Sequence, residues 1–250
     1  MNSDLMASRA QTHTSYLIPH TSLFIIDIII PAYNEQQSIP LVIADIPKHL
    51  VRHVVVCDNN STDETGRVAR EAGAVVVREP EPGYGAACLR GLDFLRKQDT
   101  QPDIVVFLDG DYSDHPEELP LLLEPILSGK AEMVIGARVA GFREKGSMMP
   151  QQIFGNWLAT RMMRVLFGGR FSDLGPFRAI TWRAFEEIGM VDRNFGWTVE
   201  MQVKALKKKI PYTEVPVHYR RRVGVSKVSG TVKGSVMAGY KIIYTILRYA

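Results

Sequence analysis

Two cysteines, Cys57 and Cys88, are all that the 250 residues contain. No disulfide framework is expected, and both thiols read as free groups in a reducing compartment. Long apolar runs are lacking as well. The longest, Leu23 to Ile30, is interrupted by Asp27 and stopped by Pro31, far short of the ~20 residues a membrane-spanning helix needs. The polar first residues lack a cationic region feeding an apolar one, so no secretory signal is expected. Internal repeats and low-complexity tracts are absent too, which excludes a collagen-like or disordered chain. What remains is ordinary globular composition, 46% hydrophobic and 23% charged, in a length that suits one large cytosolic domain.

Acids are scarce in one half. Residues 1–130 hold 10 Lys/Arg against 19 Asp/Glu, whereas residues 131–250 hold 20 against 8. In the last 47 residues there are 11 cations and a single acid, Glu214. A segment of that kind attracts anions: phosphorylated ligands, acidic headgroups or nucleic acid. The nucleic-acid reading leaves the acidic half unexplained and is set aside.

Residues 1–22 read as a loose polar tail. Thereafter strand-like and helix-like segments alternate. Strands are expected at 24–30, 54–57, 74–78 and 104–108, with helices at about 38–50, 64–72 (capped by Ser61, Thr62 or Asp63) and 86–97. Regular alternation predicts an α/β fold with a mainly parallel central sheet flanked by helices. Ligands of such sheets sit beyond the carboxyl ends of the strands. Three polar clusters fall there: Pro31-Ala32-Tyr33-Asn34-Glu35, Asp58-Asn59-Asn60-Ser61 and Asp109-Gly110-Asp111.

Asp109 and Asp111, two residues apart after the apolar run 104–108, offer hard oxygen ligands suited to Mg²⁺ or Mn²⁺ with positions left for substrate phosphates. Asp58 at a strand end is placed to accept from a nucleobase or ribose. Gly83-Tyr84-Gly85 before a helix offers backbone N–H groups to a phosphate, or is simply a glycine-rich turn. The glycines of a dehydrogenase fingerprint are missing from the first strand–helix turn. His115 and His218 stand alone and read as surface residues.

Ile-Ile-Ile-Pro-Ala-Tyr-Asn-Glu (28–35), Val-Cys-Asp-Asn-Asn-Ser-Thr-Asp (56–63) and Phe-Leu-Asp-Gly-Asp-Tyr-Ser-Asp-His-Pro-Glu-Glu (107–118) resemble, in order and spacing, the family 2 glycosyltransferases. The match runs from residue 24 to about 225 and is to the dolichyl-phosphate mannose/glucose synthase-like branch. The resemblance implies a GT-A fold over 23–228, a nucleotide-diphosphate sugar donor, a divalent cation and inversion at the anomeric carbon. It implies that Pro31, Ala32, Tyr33 and Glu35 line the nucleoside pocket with Asp58 on the base. Asp109 and Gly110 would lie by the ribose and diphosphate, and Asp111 on the metal. Arg138, Asp173 and Arg178 would lie near donor and acceptor. Arg221 or Arg222, with Lys227, would grip phosphates. Two departures stand out: Ser113 replaces a Gln that can join the metal shell, and Tyr84 stands where many relatives have Lys.

An inverting displacement must neutralise the leaving diphosphate. A phosphate acceptor, with its second pKa at about 6, attacks without help; a hydroxyl acceptor needs a base, for which Asp173 and Glu200 are the candidates. The cationic C-terminal segment fits a polyprenyl phosphate acceptor, and UDP-glucose or GDP-mannose is the expected donor. Residues 154–167 and the helix expected in 229–250 mix apolar residues with cations, the pattern of a membrane-surface or subunit-contact helix. The expected location is cytoplasmic, peripheral on the inner face of the membrane, and a homo-oligomer is an open expectation.

Overall fold

A computed structural model describes residues 24–224 and 232–250. The expected tail at 1–22, the boundary at 228/229 and Lys227 lie outside the described residues.

The chain builds a seven-stranded sheet in the order β3-β2-β1-β4-β6-β5-β7. The strands are β1 (Ile26–Ala32), β2 (His53–Asp58), β3 (Val75–Arg78), β4 (Ile104–Phe107), β5 (Met133–Ala137), β6 (Arg178–Thr181) and β7 (Tyr212–Pro216). All neighbours pair in parallel except β6, which runs antiparallel to both β4 and β5. The mainly parallel sheet expected from the sequence is therefore present, with one reversed strand that it did not announce.

Alternation along each strand divides the core. Ile29 faces one side of the sheet and Ile28 and Ile30 the other, as the two-residue period of a strand requires. Helices α1 (Ile39–Asp45), α2 (Thr65–Glu71) and α4 (Leu119–Leu127) cover one face. The opposite face carries α3 (Tyr84–Arg96), α5 (Pro150–Phe167), α6 (Trp182–Ile188), α7 (Trp197–Lys208) and α8 (Val232–Tyr249). Burial on both faces explains why β1 and β4 read as nearly unbroken apolar runs. The one acid in β1, Asp27, is fully buried and takes both Arg52 Nε at 3.1 Å and the His53 amide at 3.0 Å. That pairing pins β1 to β2 at the end away from the polar strand ends.

Two expected boundaries move. The first helix stops at Asp45 rather than near residue 50, because Pro47 pushes Ile46 into extended backbone; a separate short turn of 3₁₀ helix follows at Lys48–Leu50. Of the expected caps Ser61, Thr62 and Asp63, it is Asp63 that serves the start of α2, accepting from the Thr65 amide at 3.0 Å. Ser61 instead accepts from the Asn34 amide at 3.0 Å, tying the first two strand ends together.

Candidate active site

The carboxyl ends of β1, β2, β4, β5 and β7 share one edge with the amino end of reversed β6. The register shows it: Ala32 lies opposite Asp58, Phe107 and Ile135 opposite Arg178, and Ala137 opposite Pro216. The sequence-expected residues at 31–33, 35, 58, 109–111, 138 and 178, with the segment that carries Arg221 and Arg222, thus converge on one edge. Glu200 does not join them.

Asp109 follows β4 and accepts from the Tyr84 hydroxyl at 2.9 Å. Burial and the neighbouring Asp111 carboxylate push its pKa up to about 6. Asp111 is 7% exposed. Its Oδ1 accepts from the Ser113 amide at 2.9 Å and the Ser113 hydroxyl, while Oδ2 faces Arg222 Nη1 at 3.1 Å. Arg222 also reaches Glu35 Oε1 through Nη2 at 3.1 Å, and Glu35 Oε2 accepts from the Ser38 hydroxyl at 2.7 Å. The Val223 amide donates to the Asp111 carbonyl at 3.0 Å, fixing the 220s segment over the acidic turn. Tyr112, between these groups, holds a left-handed backbone at φ 66, a conformation that costs an L-residue roughly 1–2 kcal/mol and gathers at functional turns. Its ring supports the Arg220 guanidinium at 3.4 Å.

The choice between Arg221 and Arg222 is decided by the backbone. Arg222 turns in to Asp111 and Glu35; Arg221 turns out and donates to the Lys145 carbonyl. Adjacent residues of an extended segment point to opposite sides. Arg221 is accordingly corrected from a site residue to a clamp on the 144–146 loop.

Asp114 escaped the sequence reading although it sits three residues past Asp111. It is 1% exposed, and neither carboxyl oxygen has a hydrogen-bond partner among the described residues. Burial, Asp109 and Asp111 together push its pKa well above the carboxylate range. Its signal was the third acid in Asp-x-Asp-x-x-Asp, which an unstructured reading assigns to a turn.

Other expected residues are held by partners that the sequence did not announce. Arg138 and Asp173 form a nearly buried bidentate pair, Nε–Oδ2 and Nη2–Oδ1 both 2.7 Å, with the Arg138 amide on Oδ2 at 2.8 Å. Burial raises the Asp173 carboxyl, but the Arg138 guanidinium and amide outweigh it and hold the group below its ordinary value. A carboxylate so engaged is a poor proton acceptor, which corrects the expectation of Asp173 as a base. Glu200, the other candidate, lies in α7 and accepts from the Val191 and Asp192 amides, the Tyr249 hydroxyl and Lys204. None of these partners belongs to the acidic cluster. Arg178 is 1% exposed and donates to the Leu174, Gly175 and Thr198 carbonyls; burial lowers its pKa to about 10.

Gly85 is also reassigned. The Ala86 amide donates to the Arg193 carbonyl at 2.9 Å, and a Cβ on Gly85 would meet the Asp192 carbonyl oxygen at 2.1 Å. The start of α3 is covered by backbone, so Gly85 is a close-packing glycine and not a phosphate cradle. Asp58 accepts from the Ser61 amide at 3.0 Å, with Gly66 packed against Oδ2. Pro31 and Ala32 end β1, and the Tyr33 ring beyond them is exposed. Gly110 sits against the β1 backbone, and its Cβ position lies in ordinary contact with the Pro31 carbonyl. His115 pairs with Glu117 and His218 with Glu118 at the surface.

No group of three His, Cys, Asp or Glu among the described residues makes a complete protein cage for a metal. Magnesium-type sites do not need one: one or two carboxylates with waters and substrate phosphates complete the shell. Asp109 and Asp111 fit that role, with Asp111 Oδ2 at present shared with Arg222.

Residues 27–189 match the family model described as Glycosyl transferase family 2. The chain belongs to that family. Among curated proteins, this family 2 glycosyltransferase is 35% identical over 216 residues to an uncharacterized glycosyltransferase of Mycobacterium tuberculosis, covering 85% of this chain and 94% of that one. It is 29% identical over 221 residues to the undecaprenyl-phosphate mannosyltransferase of Micrococcus luteus, covering 84% and 89%. Among solved structures, glucosyl-3-phosphoglycerate synthase from Mycobacterium tuberculosis, in complex with Mn²⁺, uridine diphosphate and phosphoglyceric acid, superposes with a TM-score of 0.73. The identity is 23%, and the match covers 92% of this chain and 79% of that one. The likeness shows the shared GT-A fold expected from the sequence.

Proposed function

We propose that this family 2 glycosyltransferase moves a hexose, with inversion, from a nucleotide-diphosphate sugar to a polyprenyl phosphate at the cytoplasmic face of a membrane. UDP-glucose and GDP-mannose are the donors to try first. The observation that carries the reading is the cluster of Asp109, Asp111 and Arg222 at the sheet edge: carboxylates for a cation and an arginine for a phosphate, within one contact network. The Micrococcus relative, an undecaprenyl-phosphate mannosyltransferase, supports the lipid-phosphate acceptor. The solved neighbour's Mn²⁺ and uridine diphosphate support the metal and the donor class.

In this reading Tyr33 and Asp58 flank the nucleoside, and Asp109 and Gly110 approach the ribose and diphosphate. Asp111, with Asp109 beside it, would hold Mg²⁺ or Mn²⁺, whose chemistry is to neutralise charge on the diphosphate. Arg222 would swing from Asp111 to the departing phosphate, joined by Lys227. The Arg138–Asp173 pair positions the sugar end of the cleft, and Arg178 braces its floor. One acceptor phosphate oxygen bonds to the anomeric carbon as the bond from that carbon to the diphosphate oxygen breaks, its electron pair leaving with the nucleoside diphosphate. No proton moves, so no base is required. That suits a site in which both candidate bases, Asp173 and Glu200, already hold structural partners. A hydroxyl acceptor would need one of them released.

The test compares a polyprenyl phosphate with the matching polyprenol under identical donor and metal. Transfer to the phosphate alone supports the reading, and transfer to the polyprenol at a comparable rate overturns it.

A further inference from the structure

We propose that α5 and α8 together form the face by which this protein lies on a bilayer bearing anionic headgroups. The two helices pack against each other and against α7. Their inner sides join the core through Ala159, Met163 and Ile246. A surface helix ordinarily keeps its outer side polar, but these two add large apolar residues to theirs. Phe154, Trp157 and Val165 face outward on α5, and Tyr240, Tyr244 and Leu247 on α8. Trp157 is 57% and Tyr240 65% exposed. The spacings 154, 157, 165 and 240, 244, 247 keep each set on one helix side. The aromatic residues form pairs one turn apart, with ring centroids 5.9 Å apart for Phe154–Trp157 and 6.1 Å for Tyr240–Tyr244. An exposed apolar surface rimmed by polar groups marks an interaction site.

Charge selects the occupant. Neither helix contains Asp or Glu. Arg161 and Arg164 lie on the outer side of α5 between Trp157 and Val165 and form no ion pair with a described residue; Arg248 is likewise unpaired near the end of α8. A two-fold contact between copies would press this face against an identical one that offers no acid on either helix to its cations, whereas an anionic bilayer attracts all of them while tryptophan and tyrosine settle at the headgroup level. The face also adjoins the cleft. Asn156 of α5 donates to the Ser172 carbonyl at 3.2 Å and accepts from the Leu174 amide at 2.8 Å, bracketing Asp173. This inference rests on the lipid-acceptor reading for its purpose, although membrane binding is measured without any acceptor.

The full chain is sedimented with vesicles of phosphatidylcholine alone and with 30% phosphatidylglycerol. The expected result is salt-sensitive binding to the anionic vesicles, weakened at least tenfold in Phe154→Ser/Trp157→Ser and in Tyr240→Ser/Leu247→Ser. Arg161→Gln/Arg164→Gln should erase the preference for the anionic vesicles. All three variants should keep the wild-type rate on a short-chain, water-soluble polyprenyl phosphate without vesicles, which shows that they fold. Wild-type protein left in the supernatant, or variants that sediment like wild type, overturns the proposal. So does a wild-type dimer that the same substitutions dissociate, which would assign the face to a second copy. Vesicle binding that follows the pattern in a protein that transfers nothing to polyprenyl phosphate would leave this face standing and remove the acceptor reading.

Discussion

Replacing Asp109 with asparagine should make the protein more stable and less active. The carboxyl has an ordinary value of 3.8 and is pushed up to about 6 in the folded protein, first by burial and then by Asp111. The folded state therefore holds the proton more tightly than the unfolded chain. Below pH ~4 both states are protonated and Asp109 costs nothing; between about 4 and 6 the penalty grows, and above about 6 it is complete. A rise of that size corresponds to about 3 kcal/mol, and the partial exposure of Asp109, with Asp111 sharing the same proton, reduces this to about 1–2 kcal/mol. Asparagine cannot ionise, yet keeps an acceptor for the Tyr84 hydroxyl. In a chain of this size the gain corresponds to about 2–8 °C in Tm. Melting curves of wild type and Asp109→Asn from pH 4 to 8, without divalent cation, should show a gap present at pH 7.5 and closed at pH 4. Mn²⁺ should narrow the gap at pH 7.5, because a cation favours the ionised wild type. A gap independent of pH, or a variant less stable at pH 7.5, would refute the argument.

Arg222→Met should release Asp111 Oδ2, raising Mn²⁺ affinity of the donor-free protein severalfold by electron paramagnetic resonance while lowering kcat about 100-fold or more. Asp173→Asn strands the nearly buried Arg138 guanidinium and should cost about 3–5 kcal/mol in denaturant unfolding; Asp173→Asn/Arg138→Met should cost much less than the sum of the single changes. Gly85→Ala drives a methyl group into the Asp192 carbonyl from a helix start closed by backbone, and a loss of about 2 kcal/mol or more is expected by the same measurement.

The alternation of apolar runs with polar strand ends carried the sheet and its functional edge, because both follow from local periodicity. What local periodicity cannot carry is a partner distant along the chain. Asp173 read as a possible base because Arg138, which holds it, lies 35 residues away. The phosphate-cradle reading of Gly85 stayed open beside that of a plain turn because the segment that covers it is at 192–193. The choice between Arg221 and Arg222 needed the Val223–Asp111 backbone bond to set which side chain turns inward. Reversed β6 follows a loop whose course is set by the buried Arg178 holding the Leu174 and Gly175 carbonyls, contacts with no signature in spacing.

Metal-dependent transfer to a lipid phosphate is read out in one partition assay. Purified protein, Mg²⁺ or Mn²⁺ and polyprenyl phosphate are mixed with labelled UDP-glucose or GDP-mannose in separate tubes, and label in the organic phase is counted. Label is expected from one donor, abolished by chelator and reduced at least 100-fold in Asp111→Asn. Label that persists in the chelator, or a protein that binds nucleoside diphosphate yet labels no lipid phosphate from either donor, would contradict it.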